Sequence, residues 1–164
     1  MSDYRPRPND NRGGEHRPGG REPGQWNSFK PPSQQELKAI IEDGDAKRLV
    51  ESAKEVGEAL AGMELATSQI RNIFASVRQI QMKWPPNADK KAEANDEIRQ
   101  LLLLKPKLAY QAKRDSDKGG RGVEGLKQVL VPAIDLVTNR EQFTRLAEYF
   151  EAILAYHKAA GGKD

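Results

Sequence analysis

From residue 34 onward the apolar residues recur at three- and four-residue intervals, and no segment alternates with the period of a strand. The spacing predicts a short helix over 34–43, with Leu37, Ile40 and Ile41 on one face. Gly44 offers a stop for it, and Asp45 a cap for a second helix over 46–61 with the stripe Leu49, Ala53, Val56 and Leu60. A third helix starts at "ATSQIRNIF", where Thr67 or Ser68 can cap the free backbone amides. Its apolar face is Ile70, Ile73, Phe74, Val77 and Ile80, and it ends before "WPPN", since Pro85 and Pro86 cannot continue a helix.

The fourth helical stretch runs from about Ala88 to Arg114 and contains Pro106, which predicts a kink or a break. Within it, "LLLLKPKLAYQAKRD" runs four leucines into four basic residues. Leu101, Leu104, Leu108 and Ala112 define a core side, and Lys107, Tyr110 and Arg114 fall roughly opposite. Tyr110 either closes the edge of the core or stands between two cations as a contact for a base or sugar. Lys105 projects on the core side of a straight helix, so it must be reoriented or snorkel. A fifth helix follows from about Val123 to Val137, kinked near Pro132. The last, from about Arg140 to Ala159, carries Phe143, Leu146, Ala147, Phe150, Ile153, Leu154 and His157 and closes at Gly161-Gly162. The expected fold is all-α, a single antiparallel bundle of five to six helices joined by short loops over residues 34–164.

Residues 1–33 read differently. They are rich in arginine, glycine and proline and nearly devoid of aliphatic side chains, so they are expected to be a disordered tail. "NRGGEHRPGGREPG" spaces arginines among glycines as RNA-associating segments do, but Asp3, Asp10, Glu15 and Glu22 dilute the signal. A solvated tail and an accessory RNA contact both remain open, and Trp26 and Phe29 are candidates to dock its end on the body. With 37% apolar residues and a mean hydropathy of −0.80, the core is modest. The absence of cysteine excludes disulfides, thiolate metal sites and a cysteine nucleophile. No window is apolar enough for a membrane span and the N-terminus lacks a signal-peptide pattern, so a soluble cytoplasmic chain without membrane association is expected.

Charge placement changes the picture more than the net charge of +3. Residues 66–83 and 105–121 together hold nine basic and two acidic residues, while the rest of the body from Ser33 on holds 12 basic and 18 acidic. If the two windows are adjacent in the fold, they form one basic patch on an otherwise acidic domain, the electrostatic footprint of a nucleic-acid binder. "KGGRG" (118–122) is expected to be a flexible basic loop, since the strand and spacing of a nucleotide-binding loop are absent. His16 and His157 do not pair by spacing with other metal ligands, and His157 continues a packing stripe. With no catalytic constellation, no enzyme activity, metal or cofactor is expected.

Three blocks carry a family likeness: "GDAKRLVESAKEVGEALAGMELATSQIRNIF" (44–74), "LLLLKPKLAYQAKR" (101–114) and "FTRLAEYFEAILAYHKAAGG" (143–162). Over about 44–162 the body resembles the small helical subunit of type III-A CRISPR effector (Csm) complexes. The likeness implies a non-catalytic, RNA-binding subunit in antiviral defence. Copies of it would stack beside the guide RNA–target RNA duplex and bridge the repeat-type backbone subunit to the large subunit. Matching motifs make Arg71, Lys105, Lys107 and Arg114 the leading RNA-contact residues; Arg78, Lys113 and Arg121 are added from the charge map. The family often has a glycine before the arginine that follows "LAY"; here the run is "QAKR", with Lys113 in that place. Two other readings stand beside it: a structural scaffold whose basic face docks acidic proteins, and a free-standing nucleic-acid-binding domain that uses the tail.

Overall fold

The computed structural model describes residues 29–84 and 94–162. Among them are seven helices and no strand: α1 (Gln34–Ile41), α2 (Ala46–Gly62), α3 (Thr67–Lys83), α4 (Ala94–Leu102), α5 (Leu104–Asp117), α6 (Gly122–Asp135) and α7 (Arg140–Ala159). The all-α bundle is as expected, with one more helix because the fourth predicted stretch is two. Most of the expected N-terminal tail, Trp26 included, lies outside the described residues, as does the start of that fourth stretch. Phe29 is half-buried against the core.

Local signals place most helix ends. Ser33 and Asp45 accept hydrogen bonds from the amides of Glu36 and Arg48 at 3.2 and 3.1 Å, and so cap α1 and α2. Gly44 takes a left-handed φ of 69° in the turn between them. The cap of α3 differs from the expectation. Ala66 is the N-cap, and Gln69 reaches back to accept from the Ala66 amide at 3.1 Å. Thr67 is instead buried, its hydroxyl donating to the Gly162 carbonyl at 3.4 Å.

Pro106 neither bends a continuous helix nor stops one at its own position. It sits in the first turn of α5, where its missing N–H has no helical acceptor to serve. Its ring excludes a helical carbonyl four residues earlier, and α4 ends at that residue, Leu102. Leu103, the single joint, keeps right-handed dihedrals (φ −68°, ψ −13°). By contrast α6 runs through Pro132.

The bundle is organised around α7, which packs against α1, α2 and α3, while α5 lies along α6. Phe143, Phe150 and Ile153 of α7 are buried with Leu60 of α2 and Ile70 and Val77 of α3. Each such side chain contributes about 1.5–3 kcal/mol by leaving water. Phe74 meets Phe150 edge-on at 5.2 Å, and Trp84 stacks on Phe143 at 5.1 Å. The crossing of α2 and α7 is close because Gly57 has no side chain: a Cβ there would lie 2.8 Å from the Ile153 carbonyl oxygen. At the far end of α7, the buried His157 Nε2–H donates to the Leu65 carbonyl at 2.6 Å, and Gly162 packs on the imidazole. His157 is thus a packing residue tying α7 to the α2–α3 turn.

Tyr149 is fully buried, with its hydroxyl 2.7 Å from Ser52 Oγ. Burial pushes its phenol above the usual tyrosine range, an effect the Ser52 hydrogen bond only partly offsets. The folded state therefore holds this proton more tightly than the unfolded chain. The stabilisation is complete below the unfolded pKa of about 10 and is lost as pH rises beyond it. In denaturant titrations from pH 8 to 11, the natural chain should lose stability more steeply above about pH 10 than Tyr149→Phe does. Parallel curves would contradict this origin.

Candidate nucleic-acid interface

The two basic windows become α3 and α5, and two clefts between these helices, set end to end, make up a groove. At one end, Gln69 and Asn72 of α3 face Gln111 and Arg114 of α5, with Lys118 and Val123 closing the space. At the other, Ser76, Gln79, Ile80 and Lys83 face Leu103, Pro106, Lys107 and Tyr110 across a cleft of about 600 Å³. The early turns of α3 thus oppose the late turns of α5, and the helices run antiparallel. Gln69, Asn72, Ser76, Gln79 and Lys83 follow helical spacing, so one polar stripe of α3 forms a whole wall. Ile80 and Leu104, both buried, form the apolar floor of the wider end.

The groove's electrostatics follow from its lining. Among the described residues its cations are Lys83, Lys107, Arg114 and Lys118, and its acid is Asp115. That carboxylate is already occupied. Gln69 Nε2 donates to it at 3.1 Å and the Val123 amide at 3.4 Å, and Gly120 packs on it. "KGGRG" is accordingly a structured turn. Gly119 closes α5 in the left-handed conformation (φ 86°), and the Gly120 amide donates to the Asp115 carbonyl at 2.9 Å. Lys107 and Arg114 are two turns apart, about 10 Å along α5. Tyr110 between them is 68% exposed, so it does not close the core edge.

The seven residues singled out from sequence fall into three groups. Lys107 and Arg114 line the groove. Arg71 and Arg78 are exposed on α3 but line neither end of it. Arg78 donates to Gln81 at 3.0 Å and sits 6.0 Å above the Phe74 ring, on the side of α3 that meets α7. Lys105, Lys113 and Arg121 lie toward α6. Lys105 snorkels to Asp135 of α6 at 2.6 Å, Lys113 pairs with Asp117, and Arg121 lines a second cavity with Lys113. The windows are adjacent, but their cations spread over three faces. Sequence reasoning did not single out Lys83, Lys118 or the amides Gln69, Asn72, Gln79 and Gln111. The signal was present as the uncharged polar stripe 69-72-76-79 beside the apolar face of α3.

A family model described as Csm2 Type III-A matches residues 43–163, which include every helix from α2 to α7 and both walls of the groove. The chain belongs to the Csm2 family. It is accordingly a small subunit of a type III-A Csm complex. It is also similar to the CRISPR system Cms protein Csm2 of Streptococcus thermophilus, with 29% identity over 102 residues, 61% of this chain and 76% of that protein. No solved structure matches it. The Csm2 match leaves out α1 and the N-terminal segment before it. No helix among the described residues is long and apolar enough to cross a membrane.

Proposed function

We propose that this Csm2 chain is a non-catalytic, RNA-binding subunit whose α3–α5 groove receives the target RNA beside the guide RNA. The observation that carries this reading is the groove itself: among the described residues, four cations and four side-chain amides along two antiparallel helices, with a single acid already hydrogen-bonded. Lysine and arginine supply sequence-independent phosphate contacts, and amides add donors toward sugar and phosphate oxygens. Tyr110 offers an exposed ring to a base or sugar. Sequence reading is left to the guide, as suits a surface built from charge and shape. Arg71 and Arg78 form a second line for a strand crossing over α3, and Lys105, Lys113 and Arg121 a third toward α6.

A protein-contact role is favoured by a different observation. Met82, Leu102 and Leu103 are exposed apolar side chains where α3, α4 and α5 converge, beside the wider end of the groove. Such a patch suits docking onto the repeat-type backbone subunit, the large subunit or another copy. The two roles separate experimentally. Replacing the four groove cations with glutamine should leave the chain co-purifying with the complex while target capture in a filter-binding assay is lost. Retained capture with lost assembly would make the basic face a scaffold for acidic proteins instead.

A further inference from the structure

A second cavity lies on the side of α5 away from α3. It is an open cleft of about 540 Å³, lined by α5, α6 and the end of α2. Its apolar walls include Met63, Ala109, Ala112 and Gly125, and Lys113 and Arg121 stand among its polar lining. This volume is in the range that accepts a large organic side chain. Phe29, the first described residue, also lines it and is half-buried there. The described chain therefore begins at the cavity.

Trp26 is three residues upstream, within about 10 Å of Phe29 along an extended chain. Between residues 5 and 28 it is the sole large apolar side chain. Left in water, an indole forgoes the burial of some 150–250 Å². The cavity offers apolar walls for its faces and a guanidinium at Arg121 for a cation–π contact.

We infer that Trp26 fills the α5–α6 cavity and docks the N-terminal segment of the same chain onto this face. Docking tethers the arginine-rich N-terminal segment to the face that carries Lys113 and Arg121, and so raises the local concentration of cations there. Their use toward RNA rests on the proposed RNA-binding role; the docking does not, because it is read in the free chain.

The test is tryptophan fluorescence of the full-length chain. There are two tryptophans, so the difference between the natural chain and Trp26→Phe isolates Trp26 without disturbing the buried Trp84. The inference predicts blue-shifted Trp26 emission and acrylamide quenching several-fold weaker than for N-acetyltryptophanamide. Ala109→Glu, at an exposed helical position that lines the cavity, should raise the quenching to the free value with an unchanged circular dichroism spectrum. Quenching equal to the free indole in the natural chain, or shielding that survives Ala109→Glu, would overturn it. Shielding that appears only as chain concentration rises would overturn it too, by assigning the cavity to the segment of a second copy.

Discussion

A Gly57→Val chain should unfold at much lower urea than the natural one, with a loss of about 3 kcal/mol or more. A Cβ at residue 57 would lie 2.7 Å from Tyr156 Cβ, 2.8 Å from the His157 amide nitrogen and 2.8 Å from the Ile153 carbonyl oxygen. Two of these are backbone atoms of α7, which no rotamer change can move. The helices must separate, and the core around Leu60, Phe150 and Ile153 opens with them. Overpacking of this kind costs about 1–3 kcal/mol and at times more, and valine adds two methyl groups to the clash. Gly57→Ala should lose less, because alanine regains about 1 kcal/mol of helix propensity. A domain stable by about 5–15 kcal/mol would lose a large share of its margin. Urea titration reads the effect as a lower midpoint at constant slope. A valine variant with the natural midpoint would show that α2 and α7 are not so closely packed.

The second large effect belongs to the groove. Exchange of Lys83, Lys107, Arg114 and Lys118 for glutamine should reduce target-RNA capture by the assembled complex on the order of a hundredfold or more at physiological salt. The loss should be similar for every guide–target pair, since these residues meet the backbone. The slope of log affinity against log salt should become shallower by about 0.7 per lost phosphate contact, or roughly three units for four. Several copies in one particle would multiply the effect. Exchange of Arg71 with Arg78, or of Lys113 with Arg121, should cost less, because neither pair lines the groove. Equal losses from all three sets would indicate a diffuse field rather than a defined track.

Much of the fold was legible because it is local. The stripe Ile70-Ile73-Val77-Ile80 is the buried face of α3, Asp45 caps α2, and the Arg140–Ala159 boundaries of α7 coincide with the predicted ones. Where the reading fell short, the physics was long-range or indirect. Ala66, which has no capping side chain, took the N-cap position of α3 with Gln69 accepting from its amide, and Thr67 was drawn away by a carbonyl 95 residues distant. Pro106 acted four residues upstream, splitting a stretch whose hydrophobic period runs on through both pieces. Gly57 resembles any small residue in a helical stripe until α7 is packed against it.

The candidate groove was half legible for similar reasons. Charge counting located the two helices that line the candidate groove, and the wheel of α5 put Lys107, Tyr110 and Arg114 on the side that faces it. Counting charges hides amides, so most of the α3 wall went unnoticed. It also gives no weight to tertiary pairing, which ties Lys105 to Asp135 on α6. Arg71 and Arg78 share a line, but the orientation of that line depends on which face of α3 the core takes.

Ultraviolet cross-linking of target RNA in the assembled complex, read by mass spectrometry of the adducted peptides, meets the central claim most directly. RNA adducts on the α5 segment Lys107–Arg114, with Tyr110 the expected site, and loss of those adducts when the four groove cations are replaced, are the predicted result. Adducts confined to other faces of this subunit, with the α5 segment unmodified at full target occupancy, would contradict it.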